Sequence, residues 1–306
     1  MERFGNPVIG RFAPSPTGPL HLGNLRTALA SWLSARSQGG RWLIRMEDVD
    51  GPRCRPEFAE TQLRDLGSLG LVSDEPVVHQ SARSEMYREV LERLHASGFL
   101  YPCRCTRKDR QRLASAPHAE DGLRPYPRTC RHRHLERIHS EALRFRLPDG
   151  PVAWEDLLLG PQTDDPNHLT GDPLLHRRDG LFAYHLAVVV DDAHQGVTEI
   201  VRGADLRDVT ATQIRLQEAL GFSRPDYVHL GLVTGPDGTR LGKRAGALGL
   251  EALIAKGIPP SEILGWLGWS LGCQDRPEPC SAVELVPQFA WVRVQKDEIR
   301  VPTPWV

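Results

Sequence analysis

Residues 8–46 constrain the fold more than any other stretch of the chain. Val8-Ile9-Gly10-Arg11-Phe12-Ala13 is a short apolar run that predicts a strand. A loop dense in Pro and Gly, PSPTGPLHLG, follows it. Leu25, Ala28, Leu29, Trp32 and Leu33 then recur at i, i+3, i+4, i+7 and i+8, which is one face of a helix. Asn24 stands where an N-cap belongs, and Gly39-Gly40 supply the stop. Arg41 to Met46 reads as a second strand. Strand, loop, helix and strand in that order make a βαβ crossover, whose preferred hand yields a parallel pair. The ligand site of such a unit lies beyond the strand's carboxyl end, at the helix N-terminus. The fold class expected is α/β with a parallel-sheet core.

Further along, helices are expected from Glu57 to Leu66 and from Arg83 to Ala96, the latter with Met86, Val90, Leu91 and Leu94 on one face. From Tyr101 to about Asp179 the pattern breaks into short pieces rich in Pro, Arg and His, which reads as an insertion. Leu186-Ala187-Val188-Val189-Val190 predicts a fully buried strand ending in Asp191-Asp192. Helical spacing returns from Ala211 to Leu220, Tyr227 to Leu230 reads as a strand, and Leu250 to Leu271 as two short helices broken by Pro259-Pro260. No internal repeat is present. The division expected is a core in two halves, 1–100 and 180–246, separated by the insertion 101–179 and followed by a small helical region, 247–306.

Charge narrows the partners. The 306 residues carry a net charge of −1, so the whole chain is no generic polyanion binder. Between Tyr101 and Leu147, however, 12 Arg and Lys face 5 Asp and Glu, with four His besides. Such a segment is either a nucleic-acid face or a solvated one. No apolar run approaches the roughly 18–20 residues that span a bilayer, and the N-terminus has no secretory pattern. A cytoplasmic protein is expected, without a membrane partner. Six Cys in such a chain do not form a disulfide framework. Cys54, Cys273 and Cys280 read as scattered free thiols, whereas Cys103, Cys105 and Cys130 cluster.

The loop Pro14 to Asn24 carries the strongest chemical signal. His21 and Asn24 are placed at a helix start to face one ligand, and Gly23 between them permits close approach of a flat or phosphorylated group. Helix N-terminal amides with a His favour an anion.

Ala13-Pro14-Ser15-Pro16-Thr17-Gly18 with His21-Leu22-Gly23-Asn24 resembles the signature of class I aminoacyl-tRNA synthetases, specifically the glutamyl/glutaminyl group. Arg240-Leu241-Gly242-Lys243-Arg244 resembles that class's second, Lys-containing loop. Arg45 to Asp50 and Ile200 to Leu206 also fit, in the right order. Gly242 stands where the family usually has Ser, and Asn24 where its first motif usually ends in His. The chain stops about 60 residues after the Lys loop, so no C-terminal anticodon-binding domain is expected. His176 to Tyr184, followed by AVVVDD, is very like the shortened relatives that modify queuosine in tRNA(Asp).

The resemblance implies a Rossmann-like nucleotide-binding core with a zinc-containing insertion. It implies that ATP, with Mg2+, activates L-glutamate to glutamyl-adenylate without tRNA, and that glutamate passes to queuosine in the anticodon of tRNA(Asp). His21, Gly23, Asn24 and Lys243 would hold ATP, with His21 and Lys243 acting at the phosphates. The chain has 4 Lys against 34 Arg, and a Lys kept at 243 suits a point-charge phosphate contact. Arg11, Phe12, Ala13, Pro14 and Ser15, with Glu47, Tyr184 and Arg202, would form the glutamate pocket. These types suit two carboxylates and an ammonium, although Arg11 could equally pair with Glu47 and Tyr184 could be core. A monomer is expected. Two other readings stay open: a truncated enzyme charging a tRNA 3′ end, and a non-catalytic tRNA-binding paralogue.

Three thiolates need a fourth ligand for tetrahedral zinc. Residue chemistry alone selects His132 or His134, while the family's Tyr-x-x-x-Cys spacing selects Tyr126. One structural zinc on Cys103, Cys105, Tyr126 and Cys130 is the expectation.

Overall fold

The computed structural model describes residues 7–106, 125–133, 141–239 and 249–305. Its first unit is the βαβ crossover read from the sequence. Strand β1 (Ile9–Phe12) and strand β2 (Arg41–Met46) pair in parallel, with Ile9 opposite Arg41, and helix α1 (Leu22–Ser37) connects them. Eleven of the sixteen residues of α1 are buried, the mark of a helix covered on more than one side. The reason is the C-terminal region, whose Leu264, Trp266, Leu267 and Leu285 join Leu25, Leu29 and Leu33 in one core. Arg26 locks this contact: buried, it donates to the Ser270 hydroxyl and carbonyl at 3.1 and 3.0 Å, and to the Gly231 carbonyl at 2.9 Å. Burial lowers its pKa to about 10.

Helices α2 (Pro56–Ser68) and α3 (Ser84–Ala96) flank the short strand β3 (Val78–His79). Strands β4 (Leu100–Cys103), β5 (Ala142–Phe145), β6 (Val152–Asp156), β7 (Gly160–Asp164) and β8 (Leu174–His176) follow. The rest of the core comprises α4 (Tyr184–His194), β9 (Glu199–Gly203), α5 (Thr210–Leu220), β10 (Asp226–Leu230) and β11 (Val233–Thr234). After α6 (Leu250–Ala255) and α7 (Pro260–Ser270), strand β12 (Ile299–Arg300) pairs with β11. The helix break falls at Pro259-Pro260 as expected.

The main sheet has seven strands in the order β3-β2-β1-β9-β10-β6-β7, all parallel except the β6–β7 hairpin. The chain leaves β1 toward β2 on one side and later returns to its other side as β9. That reversal is a topological switch point, where open α/β sheets bind ligands. Within 101–179 the residues divide: β6 and β7 extend the main sheet, while β4, β5 and β8 form a separate antiparallel sheet.

One expected strand fails. Leu186 to Val190 is not a strand but the middle of α4, buried continuously from Leu186 to Asp192. A short apolar β-branched run reads alike in a buried strand and a buried helix. Here the helix prevails because it packs against α3 and α5, in a core with Tyr87, Leu91 and Leu216. Among the described residues no helix is long and apolar enough to cross a membrane.

Candidate active site

A cleft of ≈ 590 Å³ opens at the carboxyl ends of β1, β2, β9 and β10. Arg11, Phe12, Ala13, Pro14 and Ser15 enter it from the end of β1 and the following loop, and Glu47 from the end of β2. His21, Gly23 and Asn24 enter from the start of α1, Tyr184 from the start of α4, and Arg202 from β9. Every described residue expected to contact glutamate or ATP thus lines one space. Lys243 lies outside the described residues. The flanks of its segment do reach the cleft: Val233 lines it, and Gly249 forms a β-bridge with His21.

The N-cap of α1 is His21, not Asn24. His21 has extended backbone, and its Nδ1 accepts from the amides of Gly23 and Asn24 at 3.1 and 3.3 Å. Asn24, at the third helical position, accepts the His21 amide on its Oδ1 at 3.2 Å, closing a capping box. Sequence reasoning missed this because His is an uncommon cap. The consequence is chemical: with Nδ1 accepting, the neutral ring carries its proton on Nε2 as a donor. Gly23 lets the ring lie close, since a Cβ there would sit 3.0 Å from Cε1 and 3.1 Å from Nδ1 of His21, and the ring would have to give by a few tenths of an ångström. Gln62 of α2 braces the loop, donating to the carbonyls of Ser15 at 3.2 Å and Gly18 at 2.7 Å.

Beneath the cleft lies a buried charge cluster. Arg11 Nε bonds Asp192 Oδ1 at 3.1 Å and its Nη1 the Val201 carbonyl at 3.3 Å. Arg45, fully buried, reaches Asp192 at 2.8 Å and Glu47 at 3.4 Å. Arg11 is therefore paired with Asp192 and not with Glu47. Burial raises the pKa of Glu47 despite the nearby guanidinium groups of Arg45 and Arg11. A carboxylate that is costly to keep charged, lining a cleft, is suited to receive a cation. Asp192 is held low, because Arg11 and Arg45 outweigh its burial. Burial likewise raises the hydroxyl of Tyr184. Arg45, Asp191 and Asp192 were not singled out from sequence; only the acidic pair ending an apolar run hinted at them.

The second cluster lies on the small sheet. Cys103, Cys105 and Cys130 place their sulfurs within 4.8 Å of one another. The Tyr126 hydroxyl sits 3.3 Å from Cys103 Sγ and 3.5 Å from Cys105 Sγ, and accepts the Cys130 amide at 3.1 Å. With zinc–sulfur bonds of about 2.3 Å, tetrahedral edges are about 3.8 Å, so three sulfurs and one phenol oxygen at this spacing fit the ion. His132 is exposed and does not join the cluster, and His134 lies outside the described residues. Arg144 stacks 3.6 Å over the Tyr126 ring and donates to Cys103 Sγ at 3.3 Å. Several cations of the basic stretch are spent internally: Arg131 on buried Asp172 at 2.8 Å, and Arg104 on Glu141. Beside the thiols a second cleft of ≈ 510 Å³ is lined by Arg144, Arg177, Arg178 and Asp179.

Comparison with known proteins gives one answer. Residues 7–300 match the family described as tRNA synthetases class I (E and Q), catalytic domain. A protein of Symbiobacterium thermophilum named glutamyl-Q tRNA(Asp) synthetase is 47% identical, with 96% of each chain covered. A Geobacter sulfurreducens protein of the same name is 52% identical over 80% of this chain and 78% of its own. The crystal structure of glutamate-tRNA synthetase from Elizabethkingia anophelis superposes with a TM-score of 0.83 at 27% identity, covering 98% of this chain and 69% of that one. The switch-point cleft, the His-capped helix and these matches agree, and the chain belongs to the class I tRNA synthetase catalytic-domain family for glutamate and glutamine.

Proposed function

We propose that this enzyme activates L-glutamate with ATP, without tRNA, and transfers it to queuosine in the anticodon of tRNA(Asp). The observation that carries the acceptor is the relatedness to glutamyl-Q tRNA(Asp) synthetases across 96% of both chains. What supports the chemistry is the convergence of Arg11, Glu47, Tyr184, Arg202 and His21 on one cleft.

In this reading the two guanidinium groups take the carboxylates of glutamate, Glu47 takes its ammonium and Tyr184 supplies a hydroxyl. An oxygen of the glutamate α-carboxylate attacks the α-phosphorus of ATP, and pyrophosphate leaves. His21 Nε2–H and the positive end of the α1 dipole stabilise phosphoryl charge from one side. Lys243 is assigned the same role at the phosphates, and Mg2+ would accompany ATP. A hydroxyl of the queuosine cyclopentenediol then attacks the adenylate carbonyl, and AMP leaves. Cys103, Cys105, Tyr126 and Cys130 would hold one zinc, whose part would be to tie the small sheet together and not to take part in the chemistry.

The test is glutamate-dependent exchange of pyrophosphate into ATP with no tRNA present. Exchange is expected in the wild type and should fall about 10²–10³-fold in Lys243→Ala, the cost of one lost transition-state contact. Exchange that requires tRNA would overturn this order of events.

A further inference from the structure

Three buried side chains run in a row across the sheet, from β6 through β10 to β9 at the wall of the cleft. Arg202 on β9 lies directly opposite His229 on β10 in the parallel register, and β6, the other neighbour of β10, ends in Asp156. Asp156 and His229 are wholly buried, and Arg202 is 4% exposed.

Asp156 fixes the ring. Its Oδ1 accepts the amides of Leu158 and Leu159, both at 2.9 Å, and its Oδ2 accepts the His229 amide at 3.1 Å. The same Oδ2 lies 2.6 Å from His229 Nδ1. A carboxylate with this many donors is an acceptor, so Nδ1 carries the ring proton and Nε2 presents a lone pair. Arg202 Nε donates to that lone pair at 3.0 Å. The opposite tautomer would set two donors against each other. The rest of the guanidinium is held as firmly: one terminal nitrogen donates to Gln213 Oε1 at 2.7 Å and the other to the Thr210 hydroxyl at 2.8 Å. Tyr227 stacks beneath it, 5.4 Å from the ring centroid.

Every one of these direct partners of Arg202 is neutral. Arg11, on the neighbouring strand, is instead held by the carboxylate of Asp192. The difference matters for an anion: a carboxylate in direct contact would fix the guanidinium but offset its charge. A neutral imidazole fixes it and leaves the charge for a ligand. We propose that His229, oriented by Asp156, is a positioning residue that aims Arg202 at a carboxylate of the amino-acid substrate without neutralising it. This rests on the reading above that Arg202 contacts glutamate.

Releasing a long side chain to be re-ordered by each ligand costs on the order of a tenfold loss of affinity. His229→Leu removes the lone pair, whereas His229→Gln can place an amide oxygen near the position of Nε2. Calorimetric titration of glutamate and of ATP, each separately, should show the glutamate Kd raised about tenfold in His229→Leu with the ATP Kd unchanged. In His229→Gln the glutamate Kd should return to within about threefold of the wild type. Equal weakening of both ligands, no weakening of either, or a His229→Gln protein as poor as His229→Leu would each overturn the proposal. Wild-type protein that takes up no glutamate would overturn both this inference and the function beneath it, which separates the two failures. Should His229→Leu not fold, long-range 1H–15N spectra of the wild type decide, with the His229 signals identified by their loss in His229→Gln. A neutral ring protonated on Nδ1 supports the proposal, and an Nε2–H ring or an imidazolium overturns it.

Discussion

Replacing Arg45 by Met tests the buried cluster under the cleft at its centre. The side chain is fully buried and touches Asp192 at 2.8 Å, the Gln195 amide oxygen at 2.8 Å and Glu47 at 3.4 Å, with Asp191 at 3.9 Å. Met fills much the same volume, so the loss is electrostatic and not a cavity. Asp191 keeps Arg83 at 2.6 Å, Gln80 at 2.8 Å and the Tyr87 hydroxyl at 2.6 Å. Asp192 keeps Arg11 at 3.1 Å. Glu47 loses the guanidinium that bonds it, and the cluster retains three carboxylates against Arg11 and Arg83. Stranding one buried charge costs about 3–5 kcal/mol. Urea unfolding at neutral pH should register that loss, and Arg45→Met/Glu47→Gln should recover about 1–3 kcal/mol of it. The pH dependence has a defined sign. The pKa of Glu47 is already raised by burial, and losing Arg45 raises it further. A carboxyl with a raised folded pKa favours the fold at low pH and loses that contribution as pH rises through the folded value. The deficit of Arg45→Met must therefore shrink on acidification. A loss below about 1 kcal/mol, or a double variant no better than the single one, would refute the claim that Arg45 neutralises Glu47.

Gly23→Ala should lower pyrophosphate exchange by at least about tenfold, because the new Cβ crowds the His21 ring, which is proposed to contact the phosphates. Thermal unfolding should hold or rise, since Ala favours a helix over Gly by roughly 1 kcal/mol; unaltered exchange would detach His21 from the chemistry. Elemental analysis should find one zinc per chain, and chelation should loosen the β4-β5-β8 sheet, read as faster proteolysis within 101–179. Tyr126→Phe should bind zinc more weakly in competition with a chromophoric chelator, and an unchanged affinity would return the fourth ligand to a histidine. Glutamate binding should weaken as pH falls, starting above the ordinary carboxylate range, because in the proposed pocket Glu47 must be ionised to receive the ammonium and burial raises its pKa. Glu47→Gln should bind weakly and show no such onset.

What the sequence made legible was what neighbours along the chain determine. The β1-α1-β2 unit follows from a periodic apolar face between two short strands, and with it the location of the ligand site. The run Leu186 to Val190 was misread because a strand and a buried helix bury the same residues. The residues expected to face glutamate, Arg11, Glu47, Tyr184 and Arg202, came from family resemblance, and the structure brings them into one cleft. Their supports were not legible. Arg45 finds Asp192, His229 finds Asp156, and Arg26 finds Ser270 across long separations that only the strand order creates. The cap was missed for a local reason: Asn24 is the better cap by frequency, but His21 precedes the first helical turn and its ring folds back onto the amides.

The acceptor is the central claim, and transfer of radiolabelled glutamate tests it most directly. Purified enzyme, ATP and tRNA(Asp) bearing queuosine should yield labelled tRNA whose label survives removal of the 3′-terminal adenosine, and tRNA(Asp) lacking queuosine should remain unlabelled. Label that departs with the terminal adenosine, or equal labelling of tRNA(Glu), would instead make this an enzyme that charges a tRNA 3′ end.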